Sequence, residues 1–500
     1  MRVLPIPLNR WDTHQTIFSN EPAAPRPAQL PSEHPTRSFW TDSAPNVNPL
    51  ASEGSEGILT SEADVCIIGS GITGVGVAYH LAESVAGVDH EGPLKVVILE
   101  ARDFCSGATG RNGGHLTPAA FFDFKRHVTE YGTDEAIRSL ALEAHTASSL
   151  VSIINAHGLE EKVDLVEGGH IDLLITEKEV EDARDDYEAA EKAGVDLRNV
   201  QWMSKEEMQA YGTLYPAVRI PGHNVWPLKL VTQLYHLAQA RAGPKFSLSL
   251  HTRTPVTAIS NGGVTIGDSN NARPYIVETP RGSISCSRVV HATNGYASHL
   301  LPFLTGPEGI VPTRGQIIAV RAAASTQDIG KNGWGGNEGF EYWFPRPVRR
   351  SENASTSDEQ PLIILGGGRE VVTEPPFELY VDDDSTNNHD AGRVLRDFLP
   401  AVFDGRFEAG REPEMEWTGI MAFTKSGDPF VGPVLDPSGR DSGAYKGQYI
   451  AAGYTGHGMP RAFGCAEVVA EMIIAELSRK QWSTPEWLPE GFLTWNRIRK

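Results

Sequence analysis

The sequence predicts an α/β fold, and three observations carry the prediction. An apolar strand at 64–68 runs into Gly69, Gly71 and Gly74, spaced Gly-x-Gly-x-x-Gly, and then into a helix. A second apolar strand at 95–99 follows and ends in Glu100. Strand and helix patterns then alternate down the chain, as β-α-β units on a parallel sheet require. Each part of the first unit has a physical job. Gly69 permits the tight turn, Gly71 lets the backbone approach a pyrophosphate, and Gly74 lets helix and strand pack closely. Ile72 and Thr73 open the helix, whose N-terminus offers unpaired N–H groups and positive potential to phosphate. Glu100 can accept hydrogen bonds from both hydroxyls of a ribose. The glycine spacing alone is a weak signal. With a strand before it, a helix after it and an acid closing the next strand, it predicts a dinucleotide site.

The later elements follow from periodicity. Residues 136–158 read as a helix with Leu140, Leu142, Ala144, Leu150, Val151 and Ile154 as its apolar positions. A strand is expected at 169–175, a charged helix at 177–193, and a helix at 227–242 with an apolar stripe through Leu228, Val231 and Leu234. Two sheet strands are expected at 254–259 and 275–279, and a further strand at 286–295 ends in small residues. The polar, Ser- and Glu-rich segment 346–361 reads as a surface loop. Residues 1–59 lack periodicity and read as an irregular extension, wrapped over the surface through Trp11, Phe39 and Trp40; 481–500 reads as a C-terminal tail.

Composition narrows the function classes. The chain has 500 residues, 40% apolar and 22% charged, which suits a globular enzyme of two to three domain equivalents. A net charge of −20 argues against nucleic acid as a partner and is compatible with a cationic substrate. No run approaches the ~18 apolar residues of a membrane span. The four cysteines, Cys66, Cys105, Cys286 and Cys465, form no C-x-x-C pair. Nothing suggests a disulfide framework, so an intracellular, cytoplasmic protein is expected. No metal-ligand cluster stands out.

Two further constellations sharpen the cofactor. Residues 106–110 are small or hydroxylic and lead into Arg111, Asn112, Gly113, Gly114, His115 and Leu116. They make poor core but a good backbone-rich loop against a planar ligand and its phosphates. Near the C-terminus a strand runs into Gly453, Tyr454, Thr455, Gly456, His457, Gly458 and Met459, then into a helix reaching about residue 477. That turn aims a helix N-terminus at a ligand; at the edge of an isoalloxazine its dipole stabilises the negative charge of a reduced flavin.

These blocks, with Pro312-Thr313-Arg314-Gly315-Gln316, Gly366-Gly367-Gly368-Arg369-Glu370, Trp417-Thr418-Gly419 and Asp428-Pro429, resemble the D-amino-acid oxidase/glycine oxidase/sarcosine oxidase superfamily of FAD-dependent oxidoreductases. The resemblance is closest to the γ-glutamylputrescine oxidoreductase branch and its filamentous-fungal relatives, and runs from about residue 35 to about residue 480. It implies a Rossmann-like FAD domain from 60–165, 220–310 and 410–480, and a substrate domain with a mostly antiparallel β-sheet from 166–219 and 311–409, α+β overall. The active site would lie between them. Carried over residue by residue, Gly69, Gly71 and Gly74 face the pyrophosphate. Glu100, Ala101 and Arg102 lie at the adenosine end, and Val256 contacts adenine. Thr109, Gly110, Arg111, Asn112, Gly113, Gly114, His115 and Leu116 line the pyrophosphate, ribityl chain and flavin. Thr293, Asn294 and Gly295 close the cofactor pocket; Gly453, Thr455, Gly456, His457, Gly458 and Met459 meet the ring edge.

The implied chemistry is oxidation of the C–N bond of a small amine or amino acid. Relatives pass hydride to flavin N5, hydrolyse the imine and reoxidise the flavin with O2, releasing peroxide. A dehydrogenase with another acceptor, or a flavin-fold protein without turnover, are the alternatives. The run 419–424 has no cysteine where sarcosine-oxidase relatives attach FAD, and Arg111-Asn112 stands near where others use histidine; non-covalent FAD is expected. Met459-Pro460 replaces those relatives' carboxylate-binding lysine, and 362–365 has no lysine for O2. Tyr342 and Trp343 are expected as substrate walls or as aromatic core, His457 at the flavin, and His115 at the flavin or hydrogen-bonded within its loop. Arg314 could meet a substrate carboxylate or pair on the surface. Glu341 could bind a distal ammonium or be a solvated face residue.

Overall fold

A computed structural model describes residues 3–8, 25–87, 92–262, 273–348, 359–437 and 443–497. Two eight-stranded sheets organise it. In the first, Gln448–Ala452, Gly282–His291, Glu62–Ile68, Leu94–Leu99 and Phe246–His251 lie side by side and parallel. Phe430–Pro433 closes one edge antiparallel. The strand Glu62–Ile68 is buried from its second residue onward, which is why it reads as a continuous apolar run rather than an alternating one. Helix Ile72–Ser84 packs on this sheet between Pro227–Gln239 and Ala462–Leu477. Gly76 makes that possible: a Cβ there would stand 3.0 Å from the Ala466 methyl.

The second sheet runs Met415–Phe423, Val311–Arg321, Leu362–Gly367, Glu341–Pro345, Gly333–Gly336, His170–Leu173, Ala217–Ile220, Gln201–Met203. It is antiparallel except where Gly333–Gly336 pairs with His170–Leu173. Helix His389–Val402 covers one face; Trp343, Leu365, Leu395 and Phe398 share its core. Alternation sends the neighbours of Trp343 the other way, so Tyr342 and Phe344 face the first sheet's half of the molecule.

The expected elements are present with shifted ends, and three expectations need correction. The strand expected at 254–259 is Ala258–Asn261, a short antiparallel addition beside Tyr275–Thr279; ahead of it Thr254 N donates to Glu100 O and Val256 lines the cavity described below. Met415–Phe423, expected in the cofactor domain, pairs along its length with Val311–Arg321 in the second sheet. Of the described aromatics of the N-terminal extension, Trp40 is core and Phe39 is half-buried against it, rather than a surface wrap. Trp40 is fully buried, donates from Nε1 to Asn112 O at 2.5 Å, and accepts at its carbonyl from Trp226 Nε1 at 3.0 Å. Trp11 and most of the polar segment 346–361 lie outside the described residues. All four cysteines are free and buried. No described helix is long and apolar enough to cross a membrane, and no described cluster suits a metal ion.

Candidate cofactor and active site

One cavity of about 1170 Å³ runs between the two sheets, above the roughly 300–1,000 Å³ of most ligand pockets. It has room for a large cofactor and a substrate together. At one end the 69–74 turn forms a cradle. Gly69 has φ +111°, open only to glycine, and a Cβ on it would stand 2.6 Å from Ala292 O. A Cβ on Gly74 would overlap Gly69 O, so the helix start lies directly on the strand end. Gly71 caps the helix with no side-chain hydrogen bond. Ile72 N donates to Thr109 Oγ1 at 3.1 Å, which joins the turn to the 106–116 loop.

Glu100 is buried at the end of Leu94–Leu99 and lines the cavity. Its Oε2 accepts from Ser70 N (3.0 Å) and Ser70 Oγ (2.7 Å), and Oε1 from Arg102 N (3.0 Å). A carboxylate has about four lone-pair sites, so acceptor capacity remains for a ribose. Ala101, Arg102, Val256, Thr293, Asn294 and Gly295 line the same end. The Thr293 hydroxyl is buried with no hydrogen-bond partner among the described residues. A turn without a cap, an acid with free lone pairs and an orphaned hydroxyl converge on one elongated space, and together they fit FAD.

The 106–116 loop splits its labour. Thr109, Arg111, Asn112, Gly113 and His115 line the cavity. The Arg111 side chain, however, is aimed at the structure behind it. It donates to Ser106 O, Thr36 O and Thr418 O, each at 2.8 Å, and lies 3.5 Å from Asp384. Burial brings its pKa down to about 10 against the pull of Asp384. Asp384, fully buried, also pairs with Arg102 Nη1 at 2.8 Å. These contacts tie the N-terminal segment and the second sheet to the cradle. Gly110, Gly114 and Leu116 do not line the cavity; a Cβ on Gly110 would overlap Cys105 O, and one on Gly114 would meet Val225 O at 2.8 Å.

The opposite end is a chamber walled by the second sheet. Cβ atoms on Gly113 and on Gly366 would both overlap Tyr342, so its ring is clamped between two backbones. Met421, Phe423, Phe340 and Arg369 continue the wall. Thr455, Gly456, His457, Gly458 and Met459 close it from the 453–459 turn, while Gly453 lies behind them, at φ +93° against Thr424. His457 Nε2 approaches Glu143 Oε2 at 3.2 Å, and Glu143 Oε1 accepts from Arg461 Nε at 2.7 Å. Burial pushes the Glu143 carboxyl up, but His457 and Arg461 outweigh it and hold the group well below the usual carboxylate range. His115 lies 5.4 Å from the ring of His170, and burial, aided by that neighbour, pushes its pKa down to about 3. It is a neutral ring at physiological pH, a hydrogen-bonding group rather than a charge.

Three of these residues lie outside the cavity. Arg314 does not reach the cavity; it is paired with Glu378 and donates to Thr386 Oγ1 at 3.0 Å. Glu341 is neither solvated nor in the cavity. It is fully buried, accepting from Asn337 Nδ2 (2.7 Å) and Gly368 N (2.9 Å), and burial, with Glu370 beside it, pushes its pKa up. Trp343 is core, not wall. The sequence reading missed Glu143, whose signal was an acid on the buried face of helix Thr133–Ala156, beside Leu142 and Thr146. Arg369 stood inside a quoted motif without a role.

Residues 64–472 match the family described as DAO: FAD dependent oxidoreductase. The chain therefore belongs to the DAO family and is an FAD-dependent oxidoreductase. It is 24% identical over 424 residues to a probable oxidoreductase OrdL of Rhizobium meliloti (strain 1021), covering 83% of this chain and 84% of that one. It is 26% identical over 236 residues to the γ-glutamylputrescine oxidoreductase of Escherichia coli (strain K12), covering 47% and 49%. The crystal structure of glycine oxidase from Geobacillus kaustophilus superposes with a TM-score of 0.60 at 19% identity, over 87% of this chain and 99% of that one.

Proposed function

We propose that the protein oxidises the C–N bond of a small amine or amino acid, with FAD held non-covalently across the cavity. The observation that carries this reading is the single space joining the cradle to the chamber, with Tyr342, His457 and Met421 around its far end. Gly69, Gly71, Glu100 and Thr293 would hold the adenosine and pyrophosphate half, and the 453–459 turn would meet the ring. The flavin, when bound, supplies the two-electron acceptor. The chain supplies position and a dry environment: Tyr342 fixes one wall, Met421 and Phe423 exclude water, and Glu143 with Arg461 holds the His457 turn in place. No cysteine lines the cavity among the described residues, which supports non-covalent binding.

The natural acceptor after flavin reduction is O2 in this reading, with peroxide as product. A dehydrogenase reading draws support from the strand Leu362–Gly367, which has no lysine, and from Lys125, the one lysine among the described lining residues, whose ammonium is 2.5 Å from Asp185. Purified protein tests the proposal. Expected are a yellow colour released to the supernatant by acid precipitation, and anaerobic bleaching by a member of a panel of amines and D-amino acids. Peroxide release separates oxidase from dehydrogenase. A colourless protein from flavin-supplemented cells, or no bleaching by any panel member, sinks it.

A further inference from the structure

We infer that residues 26–36 are part of the FAD site: they form a clasp across the adenosine end of the cavity, and the cofactor leaves only when the clasp opens. This goes beyond the proposed function and rests on its non-covalent FAD.

The segment has no helix or strand of its own between residues 25 and 38. Pro25, Pro27, Pro31 and Pro35 fix φ and carry no N–H, so the chain here is stiff and makes few internal hydrogen bonds. Its hold on the molecule comes from outside, and it is pinned at both ends. At the first, Arg26 meets both carboxylate oxygens of buried Asp382, at 2.8 and 2.9 Å, and Gln29 N donates to the same group at 2.7 Å. Ala28 N donates to Ser298 Oγ at 2.9 Å. At the second, Thr36 N donates to Asp384 O at 2.8 Å, Thr418 N to Thr36 Oγ1 at 2.9 Å, and Ser38 Oγ to Gly110 O at 2.7 Å. Ser298 follows the first-sheet strand Gly282–His291, whereas Thr418 lies in Met415–Phe423 of the second sheet, and Asp382 and Asp384 precede the helix His389–Val402 that covers it. The segment therefore bridges the two walls of the cavity.

Between the pins, Gln29, Leu30 and Pro31 line the cavity. Ser32 O accepts from Arg102 Nη1 at 3.3 Å, which sets this stretch at the same end as Glu100 and Thr293. Tyr296 and His299 line that end too. Tyr296 Oη and His299 Nε2 are buried with no hydrogen-bond partner among the described residues, as the Thr293 hydroxyl is. Unpaired buried polar atoms are costly, and a place that gathers three of them is one that a polar ligand completes. Adenosine carries the ring nitrogens and hydroxyls to do so. The clasp precedes residue 64, so it lies outside the part of the chain matched to the family.

The full-length holoenzyme tests this. FAD release after dilution, read by flavin fluorescence, should be about 5-fold faster in Arg26→Ala, which removes a half-exposed ion pair. It should be about 20-fold faster in Arg26→Ala/Ser298→Ala, which also frees Ala28 N. Arg321→Ala breaks an exposed pair with Glu414, away from the cavity, and should release FAD at the wild-type rate. Amide exchange at Ala28 and Gln29 should quicken in the double variant while the strand Glu62–Ile68 keeps its protection, which separates an opened clasp from general unfolding. The inference is overturned if the double variant releases FAD at the wild-type rate, if Arg321→Ala speeds release as much as Arg26→Ala does, or if faster release comes with lost protection of Glu62–Ile68. Wild-type flavin that stays in the acid pellet would count against the non-covalent reading instead.

Discussion

The cradle around Gly69 and the chamber around Tyr342 belong to one cavity but are made in opposite ways. The cradle is backbone against backbone: Gly69 lies on Ala292 O, and Gly74 on Gly69 O. Its three glycines, Glu100 and Thr109 fall within about forty residues of one another, and Val256 and residues 292–295 complete it from later strands. The chamber is backbone against side chain: Gly113 and Gly366, more than two hundred and fifty positions apart, close on the Tyr342 ring. The first construction tolerates almost no change in shape. The second can be re-cut by changing a side chain. A shared cofactor and a variable substrate call for that division.

The largest expected effect tests the rigid half. In Gly74→Ala the new methyl overlaps the carbonyl of Gly69, a residue held by its N–H to Leu99 O and packed against Ala292 O, so there is little room to yield. The loss should exceed about 5 kcal/mol, the lower end of ordinary domain stability, and soluble flavin-loaded protein should not be recovered. Recovery of yellow, stable protein would show that the helix can lift from the strand, and the contrast would collapse. Next comes the joint between the halves. Asp384→Ala leaves Arg102 buried without its partner and removes the charge beside Arg111. Breaking a buried pair from one side costs about 3–5 kcal/mol, read by denaturant unfolding.

The compliant half gives a smaller effect of a different kind. In Gly366→Ala the methyl meets the Tyr342 ring, which can rotate away into the cavity. Overpacking of this sort costs about 1–3 kcal/mol. The variant should keep its flavin and lose turnover, with KM moved along with kcat because the wall has shifted. A variant that loses flavin as readily as Gly74→Ala would mean that the chamber wall also supports the cofactor.

The same contrast governs what the sequence revealed. The cradle was legible because its chemistry lies in local spacing: a strand, three glycines and an acid in order have few other uses. The order of the parallel strands was not legible, nor was the placement of Met415–Phe423 in the second sheet, since pairing over a hundred residues leaves no local trace. In the chamber, Tyr342 and His457 line the cavity, whereas Arg314 does not reach it. Arg314 and Arg369 sit in equally glycine-rich words. Only the fold shows that Glu378 pairs with one and that two aromatic rings flank the other. Glu341 misled for a related reason: burial, and then Glu370 twenty-nine positions away, push its carboxyl up, and neither leaves a local trace.

The smallest effect concerns conditions. His291 ends the strand Gly282–His291 under the cradle, fully buried, with Nε2 2.8 Å from Gln448 Oε1 and Nδ1 without a partner among the described residues. Burial lowers its pKa from 6.5 to about 4. The folded value lies below the unfolded one, so the neutral ring contributes stability that is fully present above about pH 6.5 and is lost as pH falls toward 4. The expected loss at pH 5.5 is about 1.5 kcal/mol from this group. Denaturant unfolding of the wild type and of His291→Gln at pH 7.5 and 5.5 reads it, with the pH-dependent loss smaller by that amount in the variant. His115, in the chamber, carries a similar depression but lines the cavity. Its protonation should respond to a ligand that covers the chamber, whereas that of His291, sealed beneath the strands, should not. If a chamber ligand shifts the His291 contribution, the floor of the rigid half moves with the compliant one, and the two are less separate than their construction implies.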